Sequence, residues 1–123
     1  MLKDLNISQT KNTPEVISDI ANNTISFVGN SFPENSKKFY DPLNDWMNEY
    51  CKTKEEIIIN CDFNYLSSSS LISILNLFRK ADQAIGSENC LLNWRHEEDD
   101  DDIQKIGHDF CKIISMRIVM MPY

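Results

Sequence analysis

The run Ile57-Ile58-Ile59-Asn60-Cys61-Asp62-Phe63 and the residues that follow it constrain this chain most. The apolar part is continuous, and four successive hydroxyls, Ser67 to Ser70, lead directly into an amphipathic segment carrying Leu71, Ile74, Leu75, Phe78 and Ile85 on one stripe. A continuous β-branched run predicts a central strand of a parallel sheet, covered on both faces, and the 3.6-residue spacing beyond it predicts a helix. The chain therefore turns a strand-to-helix corner within the serines. Hydroxyls are favoured at helix N-caps, where the side-chain oxygen accepts a backbone N–H, and the helix dipole there stabilises negative charge. These residues alone leave two roles open for the serines: capping, or carrying a phosphate or bound anion.

The remaining elements are read outward from this corner. Glu15-Val16-Ile17-Ser18-Asp19-Ile20 and Thr24-Ile25-Ser26-Phe27-Val28 are β-prone runs flanking Ala21-Asn22-Asn23, and asparagine tolerates the left-handed backbone of a tight hairpin. A further short strand is possible over Leu5 to Ser8, and Gly29 to Pro33 reads as a loop. Phe39, Leu43, Trp46, Met47 and Tyr50 recur at helical spacing, with Pro42 either kinking this helix or starting a new one capped by Asp41. Gly86 is the natural stop of the serine-led helix. Cys90 to Trp94 is another strand, Ile103, Ile106, Phe110 and Ile113 mark a third helix, and Met116 to Met121 closes the chain as a strand. This order predicts an α/β fold: a mixed sheet with an N-terminal antiparallel hairpin and parallel β-α-β crossovers carrying about three helices. At 123 residues, 41% of them hydrophobic, the chain is expected to form a single domain over 1–123.

Charge narrows the partners. A formal net charge of −7 argues against a nucleic-acid surface, which needs clustered Lys and Arg. No apolar run reaches the eighteen or so residues of a membrane span, and Met1 to Thr10 lacks the regions of a secretion signal, so a cytoplasmic location without membrane insertion is expected. Cys51, Cys61, Cys90 and Cys111 are widely spaced and read as reduced core residues.

The acidic run Glu97 to Asp102 contains neither the alternating ligands nor the central glycine of a calcium loop, and His96 and His108 lack a repeating ligand spacing. Carboxylates capping the third helix, or facing a partner, are expected in place of a metal site. Gly107 lies one turn beyond Ile103 on the apolar face and is expected to bring that helix close to the sheet. Gly29, Gly86 and Gly107 are scattered, so no phosphate-cradling or dinucleotide fingerprint exists. Ser68 at a strand end resembles a nucleophile elbow but lacks its flanking glycines. No enzyme activity and no cofactor are expected.

Five segments in register carry a resemblance. Thr13-Pro14, Ser31-Phe32-Pro33-Glu34-Asn35, Phe39-Tyr40-Asp41-Pro42-Leu43-Asn44-Asp45-Trp46, Asn64-Tyr65-Leu66-Ser67-Ser68-Ser69-Ser70 and Trp94-Arg95-His96-Glu97-Glu98-Asp99-Asp100 are similar in order and spacing to the SiaC family of bacterial regulatory phosphoproteins. That family is similar in fold to STAS-type anti-sigma factor antagonists, whose modified serine also sits where a strand enters a helix.

The resemblance implies a switch protein. Its members are phosphorylated on a Thr in an Asn-Thr-Ser-Ser segment by a dedicated protein kinase, dephosphorylated by a PP2C-like phosphatase, and in the unmodified form bind and activate a diguanylate cyclase. Carried over by position, the phosphate falls on Ser68, with Ser67, Ser69, Ser70, Tyr65, Arg95 and His96 as candidates for partner contact. Here Ser67 replaces the family Asn, Ser68 replaces the Thr, and Arg95-His96 stand where aromatic residues are usual. The alternative implied by the same fold is a STAS-type antagonist that binds an anti-sigma factor or another kinase-like partner.

Overall fold

The computed structural model describes residues 2–123. Six strands form one sheet in sequential order: β1 (Asn6–Ile7), β2 (Glu15–Asp19), β3 (Thr24–Ser31), β4 (Ile57–Leu66), β5 (Cys90–His96) and β6 (Arg117–Pro122). β1, β2 and β3 are antiparallel neighbours, and β3 through β6 run parallel. The parallel strands are joined by α1 (Ser36–Thr53), α2 (Ser68–Ile85) and α3 (Asp101–Ile113). The expected mixed sheet with its antiparallel opening and three helices is what the chain forms.

Local chemistry sets the boundaries. Asp19 caps a single 3-10 turn over Ile20–Asn22, and Asn23 follows with φ 58°, the left-handed residue the hairpin needs. Asn35 caps α1 by accepting from the Lys38 N–H, Ser67 caps α2 by accepting from Ser70, and Asp100 caps α3 by accepting from Ile103. Gly86, at φ 102°, ends α2. Asp101 and Asp102 occupy the first turn of α3, so the acidic run caps that helix.

Consecutive strands in sequential order with right-handed crossovers place every helix on the same side of the sheet. β4 shows the consequence: Ile57, Ile59, Cys61 and Phe63 are buried, while Ile58, Asn60 and Asp62 between them are partly exposed. The expectation of a central strand covered on both faces is therefore corrected: β4 is central in the sheet, but one of its faces stays open. Beneath the helices lies one core containing Val16, Phe27, Tyr40, Met47, Ile59, Phe63, Phe78, Leu92, Trp94 and Phe110.

Two further expectations change, and the alternatives at Pro42 are decided. β3 continues through Ser31, so Gly29 to Ser31 is strand and not loop. α1 is a single helix running through Pro42, with no new start at Asp41. Pro42 and Lys38, whose carbonyl loses its i+4 donor, are both on the exposed side, where water can satisfy that carbonyl. Cys61 and Cys90 are buried, but Cys111 is exposed on α3 and is not a core residue.

Candidate functional site

The corner after β4 is built by an irregularity in its pairing with β3. Gly29 pairs with Phe63, but Asn30 pairs with Tyr65, so Asn64 is an extra residue in β4. Such a bulge reverses the alternation beyond it. Tyr65 therefore turns outward, 55% exposed, while Leu66 turns into the core. Gly29, which pairs at the start of this irregularity, has φ 117°, and a Cβ there would lie 2.8 Å from the Gln9 side-chain nitrogen. Tyr65 meets the half-exposed Phe32 edge to face at 5.6 Å, making an aromatic ledge beside the serines. The Ser67 N–H donates to the Ser31 carbonyl at 2.9 Å, which anchors the start of α2 to the end of β3.

The four serines are not equivalent. Ser67 is the N-cap: its hydroxyl accepts from the Ser70 N–H at 3.2 Å and donates to the Ser70 hydroxyl at 3.0 Å. Ser70 is fully buried and shares a 2.8 Å hydrogen bond with Ser31, whose hydroxyl shares another of 2.7 Å with Tyr40. Burial pushes the Tyr40 phenol far above its ordinary value, so it is a neutral partner here. Ser69 is tied by its hydroxyl to that of Ser36, the first residue of α1, at 2.8 Å. Ser68, the first residue of α2, is exposed, and its hydroxyl has no hydrogen-bond partner among the described residues.

Chemically this is one accessible hydroxyl on a fixed backbone at the positive end of an 18-residue helix. The N–H groups of Ser68 and Ser69 precede the first intrahelical bonds and point toward the same end. Below Ser68 on α2, one turn along, Ile72 is 63% exposed and borders an apolar groove with Leu71, Leu75, Ile106, Phe110 and Ile113.

The other candidates are dispersed. Ser70 and His96 are buried, at 0% and 3% exposure, so neither side chain lies at the surface. His96 Nδ1 donates to the Glu97 carbonyl at 2.9 Å inside the β5 to α3 turn. Arg95 is exposed on the open face of the sheet, over the Tyr123 ring at 4.8 Å and 4.0 Å from the Asp62 carboxylate. Tyr123 donates to Asp62 at 2.7 Å, and that hydrogen bond pushes its phenol up to about 12. Among the described residues no three metal-ligating side chains converge. Ser31, Ser36 and Tyr40 were not singled out by spacing, because their contacts with the serine run close over separations of up to 39 residues. Ser31 and Tyr40 fall inside the segments that carry the family resemblance, and Ser36 does not.

The model of the SiaC family regulatory phosphoproteins matches residues 7–123. The chain belongs to the SiaC family. A protein of Pseudomonas aeruginosa strain UCBPP-PA14, itself described only as uncharacterised, is 26% identical over 113 residues, spanning 89% of this chain and 88% of its own length. Among solved structures, SiaC of Pseudomonas aeruginosa superposes with a TM-score of 0.89 at 20% identity, over 98% of this chain and 99% of its own. A chain of the crystal structure of the diguanylate cyclase SiaD in complex with its activator SiaC, from the same organism, gives 0.90 at 20% identity, over 98% and 100%. At these identities the superpositions establish the SiaC fold for this chain. Among the described residues, no helix is long and apolar enough to cross a membrane.

Proposed function

We propose that this SiaC-family chain is a non-enzymatic cytoplasmic switch, one regulatory unit over 1–123, that a protein serine/threonine kinase phosphorylates on Ser68 and a PP2C-like phosphatase resets. Its unmodified form binds and activates a diguanylate cyclase, as the SiaC of the solved complex is an activator of SiaD. The observation that carries this reading is the inequality of the serines: of four adjacent hydroxyls, Ser68 alone is both exposed and unbonded. Ser68 replaces the family threonine without loss of the nucleophilic oxygen. The partner surface joins the Phe32–Tyr65 ledge, Ser67, Ser68, Ser69 and Ile72, which share one end of the molecule, with Arg95 contributing from the open sheet face.

A phosphate adds about −1.5 to −2 charge and three acceptor oxygens. At the helix terminus it is tolerated by the fold, but pressed against aromatic and apolar partner surface it loses water without a compensating cation. Ser68→Ala is expected to keep the fold, abolish labelling and retain partner binding, and Ser68→Glu to bind less well than the parent but better than the phosphoprotein. Phosphopeptide mapping together with binding titrations against the cyclase checks this. A phosphate found on Ser69 or Ser70, with Ser68→Ala still labelled, overturns the assignment.

A further inference from the structure

We infer that Ser36, on α1, is a specificity-determining residue for this modification: by holding the Ser69 hydroxyl it biases phosphoryl transfer toward Ser68. The inference rests on the Ser68 reading above and adds what keeps the neighbouring serines out. Ser67 to Ser70 would present a kinase with four nucleophiles within one helical turn, and each of the other three is occupied differently. Ser70 is withdrawn into the core by its contacts with Ser31 and Ser67. Ser67 spends one lone pair on the Ser70 N–H and its proton on the Ser70 oxygen. Ser69 is the rival that neither burial nor the capping role removes, being exposed as a residue. Its oxygen is turned toward α1, 2.8 Å from Ser36 and 3.3 Å from Ser67.

Phosphoryl transfer requires the serine oxygen to bond to the γ-phosphorus of a nucleoside triphosphate. The bond from that phosphorus to the leaving nucleoside diphosphate breaks, and the hydroxyl proton passes to a base of the kinase. Ser69 can enter that geometry only after leaving Ser36 and rotating about χ1, whereas Ser68 needs neither change. Ser36 is 8% exposed and sits in the first turn of a long helix, so its own hydroxyl is held in place by the packing of α1 and is not free to follow Ser69 outward.

The test compares the parent, Ser36→Ala, Ser68→Ala and Ser36→Ala/Ser68→Ala, each incubated with ATP and the kinase that labels the parent, with phosphate located by fragment-ion mass spectrometry. The parent's own phosphosite reports separately on the Ser68 reading. The expected result is at most trace label on the Ser68→Ala chain, and a rise of about fivefold in Ser69 occupancy both in the double variant over Ser68→Ala and in Ser36→Ala over the parent, the scale set by one neutral hydrogen bond. An unlabelled double variant overturns the role of Ser36 while leaving Ser68 as the phosphosite. Ser69 labelled to the same extent in Ser68→Ala and in the double variant also overturns it. The unmodified protein gives a second reading that needs no kinase: Hα–Hβ scalar couplings of Ser69 are expected to report one rotamer in the parent and averaging in Ser36→Ala, and averaging already present in the parent refutes the tie.

Discussion

Gly107→Ala probes how closely α3 approaches the sheet, and its cost can be worked from the packing around one ring. A Cβ at position 107 would stand 2.6 Å from Trp94 Cδ1 and 2.8 Å from both Trp94 Nε1 and Met120 Cε. Comfortable carbon contacts lie at about 3.5–4.0 Å, so the indole must retreat by about 1 Å or α3 must lift. Trp94 has little freedom to retreat. It is fully buried, it packs against Phe110 at 5.4 Å and Phe63 at 5.9 Å between centroids, and its Nε1 donates to the Ile103 carbonyl at 2.9 Å. Ala is favoured over Gly in a helix by about 1 kcal/mol. Opposing this are overpacking, about 1–3 kcal/mol, and partial loss of the indole hydrogen bond, about 0.5–1.5 kcal/mol. The balance is a loss of about 2 kcal/mol. For 123 residues at about 2.1 cal/mol/K each, the unfolding entropy is about 260 cal/mol/K, and the melting temperature should fall by about 8 °C. Thermal unfolding measures the shift, and urea titration followed by Trp fluorescence and by far-ultraviolet circular dichroism measures the free-energy loss. A midpoint equal to or above the parent's would show that the ring yields freely and would refute the close-packing argument. Gly107→Leu should be worse in the same assay.

Two other outcomes are expected. Replacing Asp99, Asp100, Asp101 and Asp102 together by Asn should leave the melting temperature as indifferent to Mg²⁺ and Ca²⁺ as in the parent, because Asn at position 100 still caps α3; a metal-dependent rise in the parent that the variant loses would instead reveal a site, since a ligand of the folded state stabilises it. In alkali, burial pushes the Tyr50 phenol up to about 12 and the Cys90 thiol to about 11, so the unfolded chain sheds these protons first and stability, complete below about pH 9, should fall as pH rises through 9 to 12. Tyr50→Phe should flatten the upper part of that fall in urea titrations at stepped pH, and an unchanged slope would contradict a buried neutral Tyr50.

Element order was legible because each boundary carries its own chemistry. Asn23, Gly86 and the caps at Ser67 and Asp100 are local signals, and the structure uses each of them where the sequence places it. Layering was not legible. Ile57-Ile58-Ile59 reads as doubly covered, but the number of helices on each face depends on strand order, and the sequential order of this sheet sends all three to one side. Ile58 is then only partly covered, and the open face becomes mixed, with Asn60 bonded to Asn93 at 2.9 Å and Val28 exposed. The bulge at Asn64 was equally hidden, and it decides that Tyr65 faces out. As for the site, the sequence located the serine run and the strand-to-helix corner. It could not rank the serines, because their partners Ser31 and Ser36, and Tyr40 behind Ser31, come from β3 and α1 and become neighbours only when those elements pack against the start of α2.

Under the proposed assignment of the phosphate to Ser68, that ranking accounts for a modification that would alter binding without unfolding the protein. Ser68 contributes nothing to the core and no hydrogen bond to the corner, so adding a phosphate breaks no contact of the fold. The α2 dipole and the unpaired N–H groups of its first turn favour the new charge, by about 0.3–1 kcal/mol at an exposed site. Had the acceptor been Ser70, the same group would have entered a fully buried chain of hydroxyls linking α2, β3 and α1, and the fold would have borne the cost. With Ser68 as acceptor, the penalty falls on the complex alone, where the phosphate must be stripped of water against the Phe32–Tyr65 ledge and Ile72. For a partner bound with micromolar affinity, about −8 kcal/mol, a penalty of about 3 kcal/mol lowers affinity more than a hundredfold. In the proposed switch the hydroxyl network would therefore be as much a part of the device as the phosphosite: it favours as acceptor the position where charge is compatible with folding and incompatible with docking.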